Sequence, residues 1–350
     1  MRKDFQTVLG EQLARYPRMQ PQDCAKLAYQ NALGPAHAAP DRERFFKELL
    51  TDFGAVPVSG KPQPLEQIGN GLCRFHLVGT DDLPMAVPLL TELFFLTAER
   101  RWGTRRNLEQ NLTVLEALDM PQMADWLAEY RRRGCPPVHH TRIYREAYHP
   151  RYRLLATAYG GFFPALLRVA ELVRQGAPAV VAIDGRCGSG KTSLSALIQK
   201  LFPCNVIHMD DFYLPPKKRK ANWQEIPGGN MDLARLQKQV LTPAAVGDPV
   251  YYRAFDCRSG HPGDAFFLPA CPLTVVEGSY SQHPQISSQY ALRIFLTCSS
   301  EEQRRRLRER EGEHFASYES RWIPLEEQYF RLCTPQEKSD CVIDTTDFFS

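Results

Sequence analysis

Ala179-Val-Val-Ala-Ile-Asp184-Gly185-Arg186-Cys187-Gly188-Ser189-Gly190-Lys191-Thr192-Ser193-Leu194-Ser-Ala-Leu197-Ile198-Gln-Lys-Leu201 holds three patterns in a row. The first residues form a continuous apolar run ending in an acid, as in a strand buried on both faces of a parallel sheet. The last place Leu194, Leu197, Ile198 and Leu201 on one helical face. Between them, Gly185–Thr192 matches G-x-x-x-x-G-K-[ST]. In this strand–loop–helix setting, glycines let backbone N–H groups converge on phosphate oxygens, and the helix N-terminus adds partial positive charge. Lys191 is expected to reach the β- and γ-phosphates and the Thr192 hydroxyl to meet Mg²⁺. Gly185, Arg186, Cys187, Gly188, Ser189, Gly190 and Ser193 are expected to line the nucleotide, so the expected cofactors are ATP and Mg²⁺.

Working outward, Phe162–Arg174 reads as a lead-in helix closed by Gly176 and Pro178. Short apolar runs at Asn205–Met209, Leu273–Glu277, Leu292–Thr297 and Cys341–Asp344 read as further strands of one sheet, alternating with helical segments. Upstream the character changes. Helical patterns run through Phe5–Leu13, Pro21–Leu33, Phe45–Phe53 and residues 87–100, 107–118 and 121–133. One short strand is expected around Cys73–Leu77, after a Pro/Gly-rich loop at Val56–Pro64. The expected architecture is an α/β P-loop domain with a central parallel sheet (156–350), preceded by a mostly α-helical domain (1–155). Tyr148–Gly161, with Pro150 and the Gly160-Gly161 pair, reads as the linker.

Composition narrows the class. The 350 residues are 43% apolar and 24% charged, ordinary for a globular protein, and the net charge of +3 implies neither a nucleic-acid nor a membrane partner. The N-terminus lacks the apolar run of a secretory signal, and the most apolar stretch, Met85–Ala98, is interrupted by Pro88 and Glu92. Ten cysteines without a Cys-x-x-Cys pair read as reduced thiols, which together points to a cytoplasmic protein. The expected partner is a small-molecule acceptor; a homo-oligomer stays open.

The kind of P-loop protein follows from what surrounds the loop. Asn-Lys-x-Asp and Asp-x-x-Gly are absent, which argues against a GTPase switch and leaves kinases and mechanical ATPases. The second strand ends in His208-Met209-Asp210-Asp211-Phe212-Tyr213. Ligands in open α/β sheets lie beyond the C-terminal strand ends. A carboxylate there can take a proton from a substrate hydroxyl or hold Mg²⁺ through water, and Asp210 is the candidate. Ser299-Ser300-Glu301-Glu302 has the pattern of a capping box before an arginine-rich helix. Of its arginines, Arg306 and Arg310 share a face and are expected to meet phosphate; Arg321 is a third candidate. Lys217–Lys220 reads as a solvated loop.

Gly185–Thr192, Met209–Tyr213, Asn222–Asp232 and Val276–Tyr280 resemble the successive motifs of uridine kinases and their relatives, including phosphoribulokinase. The chain is more similar still to a bacterial uridine-kinase-like branch, through Asp210–Phe212, Pro227–Asn230, Val276–Ser281 and Trp322–Glu327. The resemblance covers about residues 160–350. It implies that Asp210 is the general base toward the 5′-hydroxyl of a nucleoside or similar alcohol, that Tyr213 lines the acceptor site, and that Glu277 is the Mg²⁺-linked carboxylate. It also implies that the arginines near 304–310 form a lid. Glu225, two before Pro227, stands where the family holds the ribose diol, in a loop rebuilt by Gly228-Gly229. The pyrimidine-reading tyrosine and histidine have no counterpart near Tyr251–His261, so the resemblance leaves the acceptor open.

The first half resembles an uncharacterised bacterial domain, which implies no activity. His139, His140 and His149 could be metal ligands but read better as scattered surface histidines. Tyr144–Arg153 mixes aromatics with arginine, which suits base stacking or a packed boundary, the second being preferred. The expectation is thus a small-molecule kinase, probed against two alternatives: a kinase for a sugar or vitamin-precursor alcohol, and a nucleotide-dependent RNA-binding or regulatory protein.

Overall fold

Five apolar runs in the second half of the chain pair as parallel strands, and their order places the phosphate loop at the middle of a sheet. The computed structural model describes residues 4–38, 41–56, 64–79, 82–256 and 259–349. The chain divides into two compact units, Met1–Phe163 with Phe348–Ser350, and Pro164–Asp347.

In the first unit, α1 (Phe5–Arg15) is capped by Asp4, whose carboxylate accepts the Thr7 N–H at 2.8 Å. Helices α2 (Pro21–Leu33) and α3 (Arg42–Gly54) follow. Most of the Val56–Pro64 loop, 57–63, lies outside the described residues. Next come β1 (Leu65–Gly69), β2 (Leu72–His76), α4 (Leu83–Ala98), α5 (Arg105–Glu116), α6 (Met123–Arg132), α7 (Arg142–Tyr148) and β3 (Tyr152–Ala156). The three strands form an antiparallel sheet in the order β1-β2-β3. Leu9, Leu27, Leu72, Leu112, Leu127 and Tyr144 belong to one buried cluster. The unit is thus mostly helical, with a small sheet of which only β2 was expected.

The segment expected to be a linker is ordered structure. It holds the end of α7, β3 and the start of α8 (Thr157–Gln175), which begins five residues before the expected Phe162. Gly160 and Gly161 serve close packing inside that helix. A Cβ on Gly160 would stand 2.9 Å from the Leu65 side chain, and one on Gly161 would stand 2.0 Å from the Phe348 ring.

The second unit is built on β4 (Ala179–Gly185), buried along its whole length. It continues with α9 (Lys191–Leu201), β5 (Asn205–His208), the short helices α10 (Leu233–Leu236) and α11 (Thr242–Ala245), and the hairpin β6 (Val250–Asp256) and β7 (His261–Leu268). Then follow β8 (Leu273–Glu277), β9 (Leu292–Thr297), α12 (Ser300–Glu311), α13 (Phe315–Ser317), α14 (Ile323–Cys333), α15 (Pro335–Lys338) and β10 (Cys341–Asp344). The sheet order is β10-β9-β4-β8-β5, all parallel, which is an α/β P-loop architecture. From β4 the chain crosses to the edge strand β5 and later returns to fill β8 on one side and β9 on the other. The C-terminal end of β4 is therefore the topological switch point, where the sheet opens a crevice. The hairpin was not expected, since β7 reads His-Pro-Gly-Asp-Ala-Phe-Phe-Leu and lacks alternation.

Candidate functional site

The loop after β4 needs glycine at its first position. Gly185 has φ +138°, and a Cβ there would lie 1.9 Å from the Leu296 carbonyl oxygen of the neighbouring strand. The chain then turns into α9, whose first-turn N–H groups at Lys191, Thr192 and Ser193 have no intrahelical acceptor. Lys191 is 9% exposed, and its Nζ donates to the carbonyl oxygens of Gly185 (2.7 Å) and Arg186 (3.0 Å). Burial disfavours the ammonium charge, but the acidic groups of Cys187, Glu326, Glu277 and Asp184 outweigh it and hold the pKa above the ordinary lysine value. The Ser189 hydroxyl is buried without a hydrogen-bond partner. Orphaned donors beside a buried cation fit a polyanion such as a nucleotide triphosphate.

Two carboxylates come to the loop from adjacent strand ends. Glu277, the last residue of β8, accepts the Thr192 hydroxyl at 3.1 Å and lies 2.7 Å from His208 Nδ1 at the end of β5. Burial pushes the Glu277 carboxyl up, but the His208 contact and the Lys191 charge bring it below its ordinary range, and the same contact raises His208. Among the described residues no group of three or more His, Cys, Asp or Glu side chains is spaced to hold a metal. Mg²⁺ at kinase-type sites takes one or two carboxylates with waters and phosphate oxygens, and the Thr192–Glu277 pair fits that donor set.

Asp210 and Asp211 divide their roles cleanly. Asp211 is engaged: its carboxylate accepts the Tyr252 hydroxyl at 2.8 Å, and its carbonyl accepts Arg235 at 2.8 Å. Asp210 opens to the surface, with enough protein around its carboxyl that burial, followed by the Glu277 charge, raises its pKa, partly offset by Lys191 and a Tyr213 hydrogen bond. A carboxyl raised toward neutrality suits proton transfer.

Three acids that the sequence reading did not single out brace the loop. Asp184, 0% exposed, accepts the backbone N–H groups of Gly185 (2.7 Å) and Gln282 (2.9 Å) and the Tyr329 hydroxyl (2.8 Å). Burial pushes its pKa up to about 6. Glu326 on α14 accepts the Cys187 N–H (2.7 Å), the Ser279 hydroxyl (3.0 Å) and the Gln303 amide (3.0 Å). Glu327 beside it pairs with Arg186. Their signal was present in the Trp322–Glu327 segment, but its spacing alone does not say that an acid turns toward the loop.

The other expected residues are placed variously. Arg306 is a brace: its guanidinium donates to Glu302, Gly188 O, Thr345 Oγ1 and the carbonyls of Thr345 and Thr346, all within 3.1 Å. Those five bonds use its five N–H donors, leaving none for the phosphate contact expected of it. Arg310 pairs with Glu311 and lies 5.7 Å from the Tyr318 ring. Arg321 is exposed. The expected capping box is half formed: Ser299 caps α12 through the Glu302 N–H, while the Glu302 carboxylate turns to Arg305 and Arg306. Tyr213 pairs with Met231 in an isolated bridge, and its ring lies 6.2 Å from that of Trp322. The Glu225 carbonyl accepts Gln328 of α14 at 3.1 Å, and its side chain is exposed.

In the first unit, His140 is not a surface histidine. It is buried, with Nδ1 2.9 Å from Asp23 and Nε2 2.7 Å from the Tyr152 hydroxyl, and it stacks on Tyr144 at 4.0 Å. Tyr144 in turn packs against Tyr16 and Tyr148, so this aromatic segment is core rather than a stacking platform.

No family model matches the chain, and no curated protein does. Solved structures do. One described as a possible uridine kinase from Bacillus stearothermophilus is 20% identical over 52% of this chain and 100% of its own, with a TM-score of 0.39. A provisionally assigned fructose transport system kinase from Silicibacter is 20% identical over 51% of this chain and 97% of its own, with a TM-score of 0.38.

Proposed function

We propose that the second unit is an ATP- and Mg²⁺-dependent phosphotransferase acting on a hydroxyl of a small, nucleoside-like metabolite. The observation that carries this reading is the meeting of Lys191, the Thr192–Glu277 pair and the pKa-raised Asp210 at the C-terminal ends of three neighbouring strands. The nucleotide would be held by Gly185–Ser193 and Mg²⁺ by Thr192 and Glu277, with Asp210 as a further carboxylate partner of the ion. Bound there, the pair supplies the γ-phosphoryl group and neutralises charge on its oxygens.

The chain's own residues do the rest. Lys191 stays cationic and presents its charge at the loop. Asp210 takes the proton from the acceptor hydroxyl on its carboxylate, because Asp211 is committed to Tyr252. Tyr213, Glu225 and Arg321 orient the acceptor, and Arg310, the other arginine expected at phosphate, would exchange Glu311 for it. Arg306 keeps the loop in shape by holding Gly188. The deciding experiment is a screen of nucleosides, sugars and other small alcohols for substrate-dependent ADP release. Release with no acceptor enhancement across the panel would favour a regulatory nucleotide-binding protein.

A further inference from the structure

The first unit contains a cavity of about 250 Å³ with an unusual lining. Six carboxamides face it, from Asn31, Gln67, Asn70, Asn107, Gln110 and Asn111, together with the indole of Trp102, and no lining residue is ionisable. A charged ligand would meet no counter-charge among the lining residues. Carboxamides pair with neutral groups that both donate and accept, and small-molecule sites combine a few such groups with an aromatic wall.

The aromatic wall is fixed in advance. Trp102 donates its indole N–H to the Thr97 carbonyl at 2.9 Å, and the Arg100 guanidinium lies 4.5 Å from its ring centre. Its edge fits over Gly34, where a Cβ would come within 2.3 Å of the ring.

The amides are fixed as well, and each orientation follows from its partners. Asn111, 9% exposed, spends its NH₂ on the Asn31 Oδ1 (2.8 Å) and the Ala28 carbonyl (3.2 Å), so its oxygen is left to accept. Asn70 spends its NH₂ on the carbonyls of Asn31 (2.8 Å) and Trp102 (3.2 Å), and likewise offers an oxygen. Asn107 does the reverse. Its Oδ1 accepts the Thr104 N–H (2.9 Å) and hydroxyl (2.7 Å) at the start of α5, which leaves its NH₂ as a donor. The three amides whose orientation these bonds fix therefore present two acceptors and one donor.

We propose that this cavity binds a neutral planar heterocycle with two donors and one acceptor, the pattern carried by guanine in its N1–H, N2–H₂ and O6 groups, as a nucleoside. As nucleosides, adenosine, cytidine and uridine each present a single donor group on that edge. A sugar has the hydrogen bonds but no flat face for Trp102. The site is independent of the phosphotransferase reading, since all its residues belong to the first unit.

The test is calorimetry on the full chain with guanosine, adenosine, cytidine, uridine and D-glucose. Guanosine should bind at one site at least about tenfold more tightly than the others. The informative variant is Asn107→Asp, which keeps the oxygen that caps α5 and favours the helix dipole, but replaces the NH₂ donor with an acceptor. Guanosine affinity should fall at least about tenfold with the melting temperature unchanged. Should that variant melt early, Gln110→Lys, on an exposed helical position, puts a donor-only group at the mouth and should weaken guanosine similarly. The proposal is overturned if no ligand binds at millimolar concentration, or if glucose or another nucleoside binds as well as guanosine. It is equally overturned if affinity is lost in Asp210→Asn rather than in the Asn107 and Gln110 variants, which would assign binding to the acceptor site.

Discussion

Both units bury charge, and they dispose of it in opposite ways. In the first, Arg74 on β2 stands directly across from Glu66 on β1, 2.9 Å apart, and its other donors go to Gln12 and Gln30. Glu66 also takes the Tyr16 hydroxyl, and Asp23 binds Thr141 and His140. That network closes on itself, and each charge is answered by a neighbour. In the second unit the acids brace the loop from behind, while the first-turn amides of α9 are left uncommitted and the Asp210 carboxylate reaches the surface at the strand ends. The difference separates a polar network that fixes a core from one that prepares a surface for an anion.

The largest effect should come from Lys191→Ala. If Lys191 neutralises charge on the transferring group, ATP turnover should fall by about 10³–10⁵-fold, the range charge-neutralising groups reach in phosphoryl transfer. The melting temperature should fall modestly without loss of the fold, because Glu277, Glu326 and the Gly185 and Arg186 carbonyls lose the cation they face. Removing the cation of the closed network, by Arg74→Ala, should instead unfold the first unit by stranding Glu66. Wild-type turnover in Lys191→Ala, measured by ADP release, would remove the functional side of the contrast.

Next in size is the contrast within the acid pair. Asp210→Asn should lower kcat by ~10²–10⁴-fold, the usual general-base contribution, with nucleotide affinity little changed. Asp211→Asn should cost much less in kcat, since Asp211 holds Tyr252 rather than facing the loop. A larger loss at Asp211 would mean that the wrong carboxylate is named.

The two units should also respond to pH with opposite sign. Burial depresses the His140 pKa from 6.5 to about 4, so the fold favours its neutral form. Unfolded chains bind that proton first, and the first unit should lose stability as pH falls from about 6.5 to 4. Asp184 has the reverse displacement, up to about 6 from an ordinary value near 3.8. There the folded state holds the proton more tightly, so the second unit should gain stability as pH falls through that window. Each shift of roughly two units corresponds to on the order of 3 kcal/mol. Hydrogen exchange between pH 4 and 6.5, read in β2 and α2 against β4 and α9, measures both slopes. Asp184→Asn should flatten the second slope alone, and parallel slopes in the two units would contradict the assignment.

These contrasts also explain what the sequence could reveal. All five strands of the parallel sheet were legible, because strands buried on both faces read as unbroken apolar runs. Their order was not, since nothing local in Leu273–Glu277 says that β8 inserts between β4 and β5. In the first unit β1 (Leu-Glu-Gln-Ile-Gly) and β3 (Tyr-Arg-Leu-Leu-Ala) were missed because neither alternates apolar with polar residues, and Glu66 of β1 is buried in its pairing with Arg74 of β2. Lys191, Thr192, Asp210 and Glu277 were legible from motif and position. Asp184 and Glu326 were not, because the role of a buried acid depends on donors brought from elsewhere: Tyr329 lies 145 residues from Asp184, and Glu326 lies 139 from Cys187.

The smallest expected effect tests whether the uncommitted surface depends on the closed network at all. Every group placed at the loop, from Asp184 to Thr346, comes from the second unit. A fragment of 156–350 starts at the last residue of β3 and keeps α8 whole. It also keeps Phe348 and Phe349 with Gly161 and Phe162, on which they pack. It loses the contact of Phe163 with Phe75, at 5.0 Å, and with it apolar cover on one turn of α8, which favours aggregation. On monodisperse material, calorimetry should give an ATP·Mg²⁺ affinity within several-fold of the full chain. Lys191→Ala in the same fragment should abolish it. A folded fragment without nucleotide affinity would show that the phosphate loop needs the first unit, and the division between a structural network and a functional one would not hold.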